Sequence, residues 1–314
     1  AAQGELATLL GLARVRSPFP LRGTLDGKVT AAGSIRNPRA SLDLRLTDGR
    51  LGDEPIQEAV VRADLADQEV ELDTLRVTPS RGELVGAGRI NLRGRSEVEF
   101  GGSGVDLNLL RPLFNVQRPL AGSLDFTLQL TGELNDPLVG LSAAVTDGGI
   151  GMMSFDRITL QAFYRGGQFN IEHAVIQEDR HRVEVAGSLP FNPARMRLDE
   201  SRPVNLRLEL VDSDLSILGV LSDRIERAEG VLAGAVSITG TAAQPDLDGE
   251  VHAAGGTIKL RGVDPALTDL QAKLTFTEDA LRVESFQARA GSGTVGAAGS
   301  VGFSRFRPNA LDLT

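Results

Sequence analysis

Along most of the chain, apolar and polar side chains alternate one for one. Leu124, Phe126, Leu128 and Leu130 are separated by Asp125, Thr127 and Gln129, and Leu42, Leu44 and Leu46 by Asp43 and Arg45. The same period runs through Ile158, Leu160, Ala162 and Tyr164, through Phe169 and Ile171, and on even numbers from Val204 by way of Leu206 and Leu208 to Leu210. It returns from Leu270 by way of Leu274 to Phe276, and in Leu281 with Val283. A period of two belongs to antiparallel strands with one apolar face and one wet face. Breaks at Asn37-Pro38, Asp48-Gly49, Gly166-Gly167 and Glu278-Asp279 read as turns, which predicts about seven short strands per hundred residues.

A series of landmarks punctuates this alternation and returns about every hundred residues. Gly23-Thr24-Leu25, Gly122-Ser123-Leu124 and Gly230-Val231-Leu232 each open a copy. A second glycine stands ten positions on (Gly33, Gly132, Gly240), a proline five beyond it (Pro38, Pro137, Pro245), and a third glycine eleven further (Gly49, Gly148, Gly256). Leu51, Ile150 and Ile258 follow two positions later. A fourth glycine (Gly88, Gly187, Gly299) comes 39, 39 and 43 residues after the third, so the last copy carries an insertion of four residues. The organisation is therefore a tail of a preceding copy at 1–22, then copies at 23–121, 122–229 and 230–314, the last incomplete. Ahead of each copy lies a short apolar segment with helical spacing: Leu6, Leu9 and Leu10; Leu107, Leu109, Leu110 and Leu113; Leu215, Ile217, Leu218 and Leu221. Asp106 and Asp214 stand at the N-cap positions of the second and third. These segments are expected at the rim of the sheet, covering a seam with their apolar stripe.

Composition narrows the chemistry. With 41% apolar and 24% charged residues the chain has enough apolar surface to fold, and with no cysteine it excludes disulfide frameworks, zinc ribbons and thiol nucleophiles. A net charge of -9, with no Lys/Arg stripe interleaved with aromatics, argues against nucleic acid as a partner. No run reaches the roughly 18 apolar residues of a membrane-spanning helix. Ala1-Ala2-Gln3-Gly4 has neither Met nor a charged leader, so the sequence reads as an internal segment of a longer protein.

Side chains able to carry chemistry are present but not assembled into a signature. His173, His181 and His252 show no metal-ligand spacing, although His173 falls in the apolar phase of its strand. Asp53-Glu54 and Glu178-Asp179 sit at turns, where carboxylates serve backbone hydrogen bonds. Gly101-Gly102-Ser103-Gly104 matches a phosphate loop in glycine count alone, and Gly291-Ser292-Gly293 is two residues short of a nucleophile elbow. No catalytic residue, metal or cofactor is expected. The arginine groups Arg89, Arg93 and Arg95, Arg180 with Arg182, and Arg195 with Arg197 read as a solvated outer face, against contact with anionic head groups at a rim.

One-faced strands must cover their apolar side by packing as a sandwich, closing as a barrel, or curling into a trough whose interior receives a ligand. Aromatics at 4% make a bulky sandwich core the weaker option. Leu120-Ala121-Gly122-Ser123-Leu124, followed by Thr131-Gly132-Glu133-Leu134-Asn135-Asp136-Pro137 and their counterparts around Gly33 and Gly240, resemble the AsmA-like superfamily, most closely its TamB members. The resemblance covers nearly the whole chain and rests on turns and alternation. It implies an all-β fold, a long curled antiparallel sheet or β-taco with an apolar interior, built from these repeats with one short helix each. It further implies a non-enzymatic conduit carrying phospholipids across the periplasm between inner and outer membranes in support of outer-membrane biogenesis. Acyl chains would be the ligand, the membranes would be reached through parts outside this segment, including an inner-membrane tether, and a TamA-like outer-membrane barrel is a candidate partner. The alternative is a periplasmic scaffold that helps assemble outer-membrane barrels by strand addition. On the trough reading the groove is lined by Leu42, Leu44, Val98, Phe100, Leu124, Phe126, Leu128, Leu130, Ile158, Leu160, Phe169, Ile171, Leu206, Leu208, Ile238, Leu274 and Phe276.

Overall fold

The computed structural model describes residues 2–5, 21–34, 37–52, 54–111, 116, 118–150, 153–179, 181–192, 197–218, 224–278, 280–304 and 307–314. The chain is all-β and antiparallel, as the period of two requires. It forms two compact units, Ala1–Gly151 with Gln161–Gly166, and Met152–Leu160 with Gly167–Thr314.

The first unit is a meander of β1 (Ala2–Glu5), β2 (Leu21–Ser34), β3 (Asn37–Leu51), β4 (Glu54–Ala66), β5 (Glu69–Pro79), β6 (Glu83–Asn91), β7 (Arg95–Asp106), β8 (Leu120–Glu133) and β9 (Asp136–Ile150). Each strand pairs with the next. β10 (Met153–Arg165) divides its residues between the units. The second unit continues with β11 (Gln168–Glu178), β12 (His181–Asn192), a two-residue β13 (Arg197–Leu198), β14 (Asn205–Asp214), β15 (Ile225–Gly240), β16 (Pro245–Leu260), β17 (Leu267–Glu278), β18 (Ala280–Ala290), β19 (Gly293–Ser304) and β20 (Arg307–Leu313). There β12 pairs with β14, and the remaining order is sequential. Among the described residues, the last strand of neither unit returns to its first, so each sheet is open. Among the described residues a copy holds six long strands rather than about seven short ones, and Asp48-Gly49, read as a turn, is a bulge inside the continuous β3.

The glycine landmarks have one geometric cause. In each copy the first glycine meets the third across the opening hairpin. A Cβ on Gly23 would lie 2.9 Å from the Gly49 Cα, one on Gly122 2.9 Å from the Gly148 Cα, and one on Gly230 would press on the Gly256 Cα. The first glycines also have φ of 145°, 125° and 128°, where side chains are strained. A bulge marks this point in all three hairpins: the register shifts between Arg22 and Thr24, Ala121 and Ser123, and Glu229 and Val231. The four inserted residues of the third copy lengthen the next turn. β3 and β4 are joined by 52–53 and β9 and β10 by 151–152, whereas β16 and β17 are joined by 261–266.

Among the described residues the expected helical segments begin as 3₁₀ turns at Leu107–Leu110 and Leu215–Ile217, each followed by a residue with α-helical backbone, Arg111 and Leu218. Their caps are as expected: the Asp106 carboxylate accepts from the Asn108 amide at 2.9 Å and Asp214 from that of Ser216 at 2.7 Å. The segment around Leu6–Leu10, together with Leu113 and Leu221, lies outside the described residues. Each turn sits at one margin of its sheet but sends leucines onto the apolar face rather than over its outside. Leu107, Leu109 and Leu215 are buried, and Leu215 packs with Leu232, Val251, Ala253 and Leu270 above the Gly230–Gly256 contact. Since Gly230 has both an impossible neighbour and a strained φ, Gly230→Ala should cost at least about 2 kcal/mol. Gly140→Ala, with nothing within 4 Å of its Cβ, should leave the urea midpoint unchanged in the same measurement by circular dichroism.

Candidate functional site

In an antiparallel pair, residues directly opposite each other point to the same side of the sheet, so the registers trace the apolar face strand by strand. In the first unit one transverse row runs Val29, Leu42, Ala63, Leu72, Gly88, Val98, Leu130, Val139 from β2 to β9. The next runs Gly27, Leu44, Val61, Leu75, Gly86, Phe100, Leu128, Leu141, and a third Leu25, Leu46, Ala59, Val77, Leu84, Gly102, Phe126, Ala143. Every position in the three rows is apolar or glycine. The rows cross from β7 to β8 without a break, so the face ignores the boundary between the first and second copies.

The second unit repeats the arrangement. Ile176, Val183, Leu210, Gly234, Val251, Leu274 and Val283 form one row from β11 to β18, and Ala174, Val185, Leu208, Val236, Gly249, Phe276 and Leu281 another. Ile171, Gly187, Leu206, Ile238 and Leu247 form a third, and Phe169 pairs with Leu189 beyond it. Here too the boundary between copies, at β14 and β15, falls inside the unit.

Burial along these rows is uneven. Val98, Leu124 and Leu46 are 4%, 7% and 4% exposed, whereas Leu42, Leu44, Phe100, Phe126, Leu128, Leu130, Phe169, Ile171, Leu206, Leu208, Ile238, Leu274 and Phe276 are half-buried. Ile158 and Leu160 are half-buried on β10, in phase with the buried Ala162. A closed core buries such side chains almost completely. Full burial is concentrated near the 3₁₀ margin, at Leu51, Ile56, Val105, Leu107, Leu109 and Val145 in the first unit. At the opposite margin Val29, in the first row, is 59% exposed, and Leu134 in the β8–β9 turn is 47% exposed.

The outer face carries charge of both signs. Arg62 meets Asp43 at 3.4 Å, Arg76 meets Glu83 at 2.9 Å, and Arg45 pairs with Glu58. Arg182 with Glu184 and Arg207 with Glu209 are 2.8 Å pairs along single strands. Arg89, Arg93, Arg95, Arg182 and Arg197 are exposed, and Arg89 stands opposite Glu71 and Glu97. Arg180, Arg195, Asp53 and Asp279 lie outside the described residues. Exposed pairs of this kind add little stability and serve solubility.

His173 is not on the apolar face. A bulge sets Glu172 and His173 together between the pairs Ile171–Gly187 and Ala174–Val185, which turns the imidazole outward. His252 lies 3.7 Å from Glu250 on the outer face. Among the described residues, no cluster of His, Asp and Glu is disposed to hold a metal. The alternation left Val61, Leu75, Val77, Val139, Val185 and Val236 out of the candidate lining. The phase change at Asp73–Thr74 hides the β5 members, and in β4 small alanines blur the pattern.

No described protein family, curated protein or solved structure matches this chain.

On the outer face Lys273 donates to Glu284 at 3.0 Å and Thr275 donates to the other oxygen at 2.9 Å. These two hydrogen bonds, Lys273 first, hold the Glu284 carboxyl below the usual glutamate range, while Glu284 and then Glu250 raise Lys273. A depressed carboxylate contributes stability that is present above its unfolded pKa and lost as pH falls through the folded one. Carbon-13 NMR should therefore show Glu284 titrating below the usual glutamate range, and Lys273→Met should raise it toward that range.

Proposed function

We propose that this chain is a non-enzymatic lipid conduit of the AsmA-like kind, working in the periplasm between inner and outer membranes. The observation that carries the reading is the uncharged, half-buried face whose rows pass through both copy boundaries without a polar residue. A buried methylene contributes about 0.8 kcal/mol. Rows of Leu, Val, Ile, Ala and Phe therefore hold an acyl chain without selecting its position, and a chain can slide because neighbouring sites are alike in energy. Head groups stay in water at the margin away from the 3₁₀ turns, where the face is least buried. A sheet curled around such chains is the trough expected of the β-taco. No helix among the described residues is long and apolar enough to cross a membrane, so in this reading the membranes are reached by other parts of the protein.

The test places photo-crosslinking residues at 100, 128 and 208 and follows lipid adducts in the purified chain and in envelopes. Adducts at all three positions are expected. Leu128→Arg and Leu206→Asp should keep a β-type circular dichroism spectrum and reduce adducts at the neighbouring site more than about tenfold, because a charge on an apolar path costs several kcal/mol. Adducts at none of the three sites would remove the conduit and favour strand addition to an outer-membrane client. Unfolding of either variant would mean a closed core.

A further inference from the structure

The glycine run Gly101-Gly102-Ser103-Gly104 has no phosphate-loop context, and the apolar face gives it another task. Gly102 stands opposite Phe126 across β7 and β8, as Gly86 stands opposite Phe100 across β6 and β7. A Cβ on Gly86 would lie 2.6 Å from Cδ1 and 2.8 Å from Cε1 of Phe100. One on Gly102 would lie 2.8 Å from Cδ1 of Phe126 and closer still to its Cε1. Carbon atoms in contact need about 3.5–4 Å. Each phenylalanine therefore lies down over the glycine of the preceding strand, with its ring in the space a side chain would fill. Neither glycine has a left-handed φ, so the backbone at both positions accepts alanine, and what an added methyl disturbs most is the ring, with the Leu84 Cδ2 methyl 3.0 Å away at Gly102 the next contact. Both rings are half-buried, and both lie where the face passes from the first copy to the second.

We infer that Gly86 and Gly102 are positioning residues of the proposed conduit: by letting Phe100 and Phe126 lie flat, they keep the floor low at the copy boundary, so that an unbranched alkyl chain passes over two aromatic plates. The inference rests on the conduit reading for its ligand and on the Gly–Phe pairs for its geometry. A methyl group at either glycine lifts the ring off the floor into the space the chain occupies. Flat plates also suit a sliding chain, because a ring face offers contact to methylenes without a notch to hold them.

The experiment presents a diazirine-bearing palmitic acid to the purified full chain and maps adducts by mass spectrometry on β7–β8 and, as an internal control in the other unit, on β14. Gly102→Ala should lower adducts on β7–β8 by about tenfold while leaving those on β14 unchanged, and Gly102→Ala combined with Phe126→Ala should restore them to within about twofold. Gly86→Ala with Phe100→Ala repeats the test should Gly102→Ala fail to fold. Ring geometry is read separately, without lipid. The Hα protons of Gly86 and Gly102 should be shifted upfield by the overlying rings, and the shifts should vanish in Phe100→Leu and Phe126→Leu. Unshifted protons in the unaltered chain overturn the inference. So does an alanine variant that keeps its adducts, or a double variant that does not regain them, and in either case the conduit stands. An unaltered chain without adducts on β7–β8 or β14 overturns the conduit and, with it, the role given to the glycines.

Discussion

The constraint on which everything else depends is the pairing register of the antiparallel strands. Side chains alternate with a period of two, so a slip of one residue in any pair would turn that strand's leucines to water and its charges inward. Each pair is fixed by the one before it, and an error would pass along the sheet. The chain protects the register at the same point in every copy, where the first and third glycines meet across the opening hairpin. A backbone approach that close admits no side chain on the first glycine, and the bulge beside it fixes which residues face each other from there onward.

The 3₁₀ turns complete that corner. Asp214 accepts from the Ser216 amide and from that of Gly230 at 3.1 Å, so one carboxylate joins the turn to the first glycine of the following copy. Asn108 donates to Glu54 at 2.6 Å and ties the other turn to the start of β4. These polar contacts hold the turns at the most deeply buried margin of each sheet, with Leu215 over the Gly230–Gly256 pair and Leu107 and Leu109 likewise buried. The face thus has one sealed margin and one accessible margin, an asymmetry set by a few residues per copy.

Much of this was legible in the sequence. The long clean alternations around Leu42, Leu128 and Leu206 identify the apolar face correctly, and the spacing of glycines and prolines identifies equivalent hairpins. What alternation could not reveal is where it breaks without ending a strand. Asp73–Thr74 and Glu172–His173 are bulges, and they conceal Leu75 and Val77 in one case and bring a false apolar phase to His173 in the other. The leucines before the second and third copies have helical spacing, and it is the 3₁₀ turn opening each segment that buries Leu107, Leu109 and Leu215, a turn that local sequence alone does not separate from a regular helix. The resting place of an aromatic ring over a glycine two dozen residues away depends on register, which no short window contains.

In the third copy the connection 261–266 is four residues longer than its counterparts and lies between paired strands. Lengthening a surface connection raises closure entropy only slowly. The β17–β18 ladder keeps the pairings of β4–β5, while β16–β17 pairs two residues out of the β3–β4 register, a slip that leaves every side chain on its own face. Sequence drift in such a fold is therefore steered into the margins, while the paired interior changes by whole copies. An array of this kind can grow by duplication and diversify at its edges, with the spacing of its apolar rows inherited unaltered.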